Sequence, residues 1–382
     1  MALNFSLFKK NRPPKISASK PFTMWQDDNV FASFPSLIKS AQGILLSLRI
    51  APREPIVHGL YPAHQQHLHP RSFLAFTHLD SDYRGGAIKL FDPDLFAADQ
   101  DPNLFRLSDG SLLLTSFSWR PVVGTRTAPL EQAIFSEKTS GVSALFWGGF
   151  CAISQDDGVH WAPRQYLPSL PGYPEIVPGS RPWHGGRHRG QVIELKDKRL
   201  LVASYDRAPN SKAFSSYLHI SSDLGKSWQY GGTILSDSND LIGYAEPTLF
   251  AAGDGSLLAF HRTFGAGDRL AISRSRDEGR TWSQPEFADV TGHPYHVVSL
   301  PNGSAVLLYG VRDIPCSIRG RLINPQNGEI TGEEFILQSG ATVKDIGYPT
   351  GIALTENTLL VAYYWVDSRG SRYIEGVTMR LD

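Results

Sequence analysis

Charged and aromatic side chains recur at matching places along this 382-residue chain. Glu246 opens the apolar stretch EPTLFAAGDGSLLAFHR, and His261 and Arg262 close it. Asp101 opens DPNLFRLSDGSLLLTSF. Tyr348 opens YPTGIALTENTLLVAYYW, with Tyr364 near its end. His293 and Arg312 bracket HPYHVVSLPNGSAVLLYGVR, and His188 and Arg189 precede a run that ends in Tyr205, Asp206 and Arg207. Arg49 closes FPSLIKSAQGILLSLR, just after Ser33. Carboxylates and histidines exchange protons. A tyrosine becomes a nucleophile when a base takes its proton. Arginine forks bind carboxylates through two hydrogen bonds. A charge at the end of a buried apolar run is costly unless it faces a polar cavity. The set therefore implies a pocket. The plainer alternative is that each charge pairs with a neighbour across a rim.

The elements that position these groups are hairpins. Six stretches (34–49, 101–117, 189–207, 246–262, 293–312 and 348–365) read as strand, turn, strand. Several turn on Asp-Gly or Asn-Gly, which suits a turn with positive φ. Runs such as SLLLTSF and LLVAYYW are continuously apolar, so they are expected to be buried on both faces. In a hairpin, the start of the first strand and the end of the second meet opposite the turn. That is where the charged groups lie.

A second pattern, Ser-x-Asp-x-Gly-x-x-Trp, occurs as SQDDGVHW, SSDLGKSW and SRDEGRTW. It reads as a self-contained turn. Asp156, Asp223 and Asp277 accept backbone N–H bonds, the glycine takes positive φ and the Trp packs beneath. These three turns resemble the Asp-box, and from about Phe31 onward the chain resembles the sialidase (neuraminidase) superfamily. The resemblance implies an all-β, six-bladed propeller over 31–382, with 1–30 closing the ring. It gives the three Asp residues a structural role on outer turns. The innermost strands would then bring the hairpin ends together at the axis.

The resemblance also implies roles at the site. Tyr348 is similar to the family's nucleophile and Glu246 to its activating base. Arg262 and Arg319 are similar to carboxylate-binding arginines, with Arg312 as the rival of Arg319. Asp101 resembles an Asp-Pro element beside the acid/base. Ser33 stands where the family's Arg-Ile-Pro signature has arginine. The loop that carries the family's catalytic Asp holds instead His58, His64, His67 and His69, with Glu54 as its only acid. Sialidases use Tyr because a carboxylate nucleophile would be repelled by the substrate's own carboxylate. His58 titrates in a range suited to proton donation. Arg49, Arg189, His188 and Trp183 are further candidates for substrate binding.

Composition narrows the classes. Lys+Arg and Asp+Glu are both 37, so global charge suggests no nucleic-acid partner. No apolar stretch is long enough for a membrane span, and the N-terminus lacks a signal-peptide pattern, which makes a cytoplasmic location the expectation. The clustered histidines lack further ligands at tight spacing, so neither metal nor cofactor is expected. The expected partner is a carbohydrate, acidic in character. The leading expectation is exo-acting glycoside hydrolysis of an acidic terminal sugar. The alternatives are a lyase acting on uronic-acid polysaccharides and a non-catalytic glycan- or protein-binding propeller.

Overall fold

A computed structural model describes residues 15–53, 69, 71–94, 97–122, 134–136, 143–172, 185–208 and 211–382. The described residues contain no helix and form six antiparallel sheets arranged as blades. Blade one runs through Val30–Ser40, Gly43–Pro52, Phe73–Leu79 and Lys89–Leu90. Blade two is built on Asn103–Arg106, Leu112–Val122 and Ser143–Ser154. Blades three, four and five have four strands each, taken in chain order from the axis outward. Their first strands are Ile193–Glu194, Gly243–Ala251 and His293–Ser299. Blade six begins at Gly347–Ala353 and ends at Arg372–Leu381.

The ring closes between the two ends of the chain. Ile16–Ala18 and Phe22–Trp25 both pair with Arg372–Leu381, Ile16 opposite Leu381 and Phe22 opposite Gly376. Closure covers a strand edge that would otherwise be open to another chain.

The core is six clusters, one at each junction between blades. Leu307 and Tyr309 pack with Phe260 of blade four. Their strand neighbours Val306 and Leu308 pack with Val361 and Tyr363 of blade six. Alternate residues of one strand thus enter different clusters. That is why the hairpin strands are apolar without alternation. Cys151 and Cys316 are buried within such clusters.

All three Ser-x-Asp-x-Gly-x-x-Trp segments connect a blade's third strand to its outermost strand. In 275–282, the Ser275 hydroxyl accepts from Gly279 N at 2.8 Å, and Asp277 accepts from Thr281 N at 2.9 Å. The other two turns repeat these bonds. Positive φ falls on the glycine and also on the residue before it: Asp157, Leu224 and Glu278. These turns lie at the outer rim, away from the axis.

Candidate functional site

Each blade's first strand is a sheet edge facing the axis, and there the chain repeats a distortion. Phe34, Glu246 and Tyr348 have φ of 52°, 47° and 53°. Each sits at a register shift, between Ser33 and Ser36, Ala245 and Thr248, and Gly347 and Thr350. Each is followed by proline: Pro35, Pro247 and Pro349. Pairing is also interrupted around Asp101-Pro102, and it shifts at His293-Pro294. A bulge adds one residue and re-aims a side chain. Proline is tolerated because an inner edge strand has no partner on that side. A left-handed non-glycine residue costs about 1–3 kcal/mol and persists only where its surroundings hold it.

The bulges bring Glu246 and Tyr348 together. The Tyr348 hydroxyl donates to Glu246 Oε1. The other carboxylate oxygen, Oε2, lies 3.3 Å from a terminal nitrogen of Arg262. Glu246 and Tyr348 are both buried. Burial, followed by the Glu246 and Asp101 carboxylates, holds the Tyr348 phenol well above its ordinary range, so it carries its proton. Burial alone would lower the Arg262 guanidinium, but Glu246 and Tyr348 more than offset this and hold it up.

A second guanidinium, Arg312, lies 5.7 Å from the centre of the Tyr348 ring. It donates to the Ile346 carbonyl at 3.0 Å and to the Tyr364 hydroxyl at 3.1 Å. Tyr364 in turn donates to Asp345 at 2.8 Å. Glu246, Tyr348, Arg262 and Asp101 line one cavity of about 320 Å³ at the channel mouth. A neighbouring cavity of about 240 Å³ shares Arg262 and adds Arg312, Lys344 and His293. Burial, then Arg262 and Arg312, keep the His293 ring neutral by lowering its pKa.

Other residues singled out in the sequence fall elsewhere. Arg319 is on the third strand of blade five and pairs with Glu334 at 2.6 Å. Arg312, not Arg319, therefore accompanies Arg262, because only the second strand of that hairpin ends at the mouth. His188 is buried beside the Phe150 carbonyl, where burial lowers its pKa to about 4, and it does not line the cavity. Arg189 is buried beneath Tyr348, its guanidinium 5.1 Å from that ring and 3.4 Å from the Tyr348 carbonyl. It supports the tyrosine and does not line the cavity. Arg49 is fully buried and donates to Ser72 at 2.8 Å, with Ser33 at 3.5 Å. Burial lowers its pKa to about 10 against the opposing pull of Asp101, Asp345 and Tyr364. His58, His64, His67 and Trp183 lie outside the described residues. His69 is buried. Among the described residues, no group of three His, Cys, Asp or Glu side chains is placed to hold a metal ion.

Sequence reasoning missed the aromatic side of the cavity: Phe34, Phe117, Trp119, Phe214 and Phe264. Two signals were present. X-Pro opens the first strand of five hairpins, and aromatics stand at the ends of second strands in SFSW and HRTF.

A closed six-bladed propeller, with a buried Tyr–Glu–Arg cluster at its mouth, defines the structural class. The chain belongs to the BNR repeat-like domain family, whose model matches residues 105–360. It is similar to a protein of unknown function from Dyadobacter fermentans, with 29% identity, a TM-score of 0.82 and coverage of 96% of this chain and 99% of that one. It also resembles the NanB sialidase of Streptococcus pneumoniae, with 14% identity, a TM-score of 0.61 and coverage of 95% and 71%. A third likeness is to the α-L-arabinanase of Penicillium chrysogenum, with 13% identity, a TM-score of 0.59 and coverage of 95% and 98%. At such identities the last two speak to the fold alone. A search of curated protein sequences returned no significant match.

Proposed function

We propose that the protein is an exo-acting glycoside hydrolase for a terminal acidic sugar. The observation that carries this reading is the hydrogen bond from the Tyr348 hydroxyl to Glu246, with Arg262 on the other carboxylate oxygen. A phenol is a weak nucleophile until a base takes its proton, and Glu246 is in place to do so. The tyrosine oxygen attacks the anomeric carbon as the glycosidic C–O bond breaks. That electron pair goes to the leaving oxygen, which takes a proton from Asp101 in the same cavity. Water then cleaves the tyrosyl–sugar bond. It gives a proton to Asp101, and Glu246 returns its proton to Tyr348.

Arg262 and Arg312 supply the carboxylate recognition. A neutral phenol approaches an anomeric carbon that bears a carboxylate without charge repulsion, which a carboxylate nucleophile would not. The test is a panel of aryl glycosides of sialic, glucuronic and neutral sugars. Hydrolysis of an acidic member, with a covalent sugar adduct on Tyr348 trapped by a fluorinated analogue, supports the reading. Release of an unsaturated uronate would replace hydrolysis with elimination. Binding without turnover of any member would replace it with recognition alone.

A further inference from the structure

The cavity at Tyr348 holds more arginine than one carboxylate needs. Arg262 of blade four is bonded to Glu246, and Arg187 and Arg207 of blade three line the same space. Arg187 is set there by an isolated bridge. Its N–H donates to the Tyr205 carbonyl at 3.0 Å, and its carbonyl accepts from Tyr205 N at 2.8 Å. Aromatic side chains surround its guanidinium. It lies 4.8 Å from Trp119, 5.4 Å from Phe146 and Phe214, and 5.7 Å from Tyr205. Blade two supplies the first two rings and blade three the others.

The plain reading of Arg187 is an ion pair with Asp206, which accepts from Nη1 at 2.9 Å and does not line the cavity. That bond uses one of the five N–H groups of a guanidinium. Nε and Nη2 have no hydrogen-bond partner among the described residues, and the side chain is 13% exposed where it lines the cavity. Rings packed on a guanidinium hold its plane and keep water from its faces, so an anion meets a fork already in position. Arg207 is mounted on the same parts. Its backbone N–H donates to Asp206 at 2.8 Å, and its guanidinium lies 4.6 Å from the Phe214 ring. Tyr205 couples this wall to the reaction centre. Burial, then Glu246, hold its phenol well above the ordinary range, and Arg187 opposes them.

We propose that Arg187 and Arg207 form a second anion site, apart from Arg262 and Arg312, that takes a sulfate or carboxylate group of the ligand. The ligand is then doubly anionic. That the second anion belongs to a molecule being cleaved rests on the hydrolase reading; the binding of a doubly anionic sugar does not.

The experiment uses the full chain and two probe pairs. Methyl glucuronoside and its 2-O-sulfate differ by a sulfate. The lactoside and the α2,8-linked dimer of N-acetylneuraminic acid both carry a further ring, and the dimer adds a carboxylate. Titration calorimetry on Tyr348→Phe, folded at the assay temperature, should show the doubly anionic member of at least one pair binding about tenfold more tightly. Adding Arg187→Lys or Arg207→Ala should remove that preference. Arg207 is exposed, so its variant leaves the core intact. A preference in the first pair assigns a sulfate, and one in the second a carboxylate. The kinetic arm compares 4-methylumbelliferyl glucuronide with its 2-O-sulfate, and either arginine variant should lower the kcat/KM ratio in favour of the sulfate about tenfold. A binding preference lost in the variants, with no probe hydrolysed, keeps the second site and removes only the reaction reading. Equal affinities within both pairs, or a preference that both variants keep, overturn the second site; hydrolysis of an acidic glycoside then leaves the reaction reading standing.

Discussion

Glu246 and Tyr348 occupy the same position in two different blades. Each is the left-handed residue of a first-strand bulge, each precedes proline, and their side chains hydrogen bond across 102 residues of sequence. A residue-by-residue bulge is an expensive way to build an edge strand. Here it turns two side chains that would otherwise follow the strand's alternation into one buried pair. If the pair is the reaction centre, Tyr348→Phe and Glu246→Gln should each reduce kcat by about 10²–10⁴-fold. Both variants also lose a buried hydrogen bond, and Glu246→Gln strips Arg262 of its partner charge, so a lowered thermal midpoint is expected beside the kinetic loss, with folding checked at the assay temperature. Steady-state kinetics with the best acidic glycoside gives the measurement, and unimpaired turnover by Tyr348→Phe would refute the mechanism.

Arginine geometry gives the second test. Arg262→Lys keeps the charge and loses the planar fork. Losing a charge-assisted hydrogen bond is worth about 1.5–3 kcal/mol, or roughly 10- to 150-fold in kcat/KM for an acidic substrate. Arg319→Lys, on the outer part of blade five, should change kcat/KM by less than about twofold. Comparable losses in the two variants would mean that the cluster at Tyr348 is not where the carboxylate binds.

The rim turns carry a stability prediction. The buried Ser275 hydroxyl accepts from Gly279 N at 2.8 Å and donates to Asp277 at 2.8 Å. Ser275→Ala leaves a buried N–H without its acceptor, which costs about 1–3 kcal/mol. Urea unfolding should show that loss while kcat and KM hold their wild-type values, since the turn is remote from the axis. An activity change without a stability change would place the motif in the site.

Several histidines give the protein an acid-labile core. Burial lowers the pKa of His188 and His261 to about 4 and that of His219 and His296 to about 3, against an ordinary value of 6.5. Between these limits the unfolded chain binds protons that the native chain refuses, so stability is complete above pH 6.5 and falls as pH drops toward 4. Each group contributes up to about 1.4 kcal/mol per pH unit within its window. Denaturant midpoints measured from pH 7.5 to 4.5 should therefore decline steeply below 6.5, and His261→Gln should flatten the slope by about one proton. A midpoint independent of pH would show that the rings are protonated in the native protein.

The local chemistry of the sequence determined the blades. Asp-Gly turns, continuous apolar runs and the thrice-repeated Ser-x-Asp-x-Gly-x-x-Trp are each encoded within about twenty residues, so the six hairpins, the rim turns and the propeller fold follow from them. Glu246, Arg262 and Tyr348 were also legible, because charge at the end of a buried strand has few places to go. Tertiary structure decided the rest. Arg312 and Arg319 are seven residues apart and chemically alike, yet strand order puts one at the mouth and the other beside Glu334. His188 and Arg189 are adjacent, and their surroundings bury one by the Phe150 carbonyl and the other under the tyrosine ring. The aromatic wall joins Trp119, Arg187, Phe214 and Phe264 from three blades, and no local pattern links them. The physical reason is the two-residue period of a strand. One extra residue in a bulge reverses which neighbouring blade the following side chains face, and strand order sets their distance from the axis, so both are defined only by the folded ring.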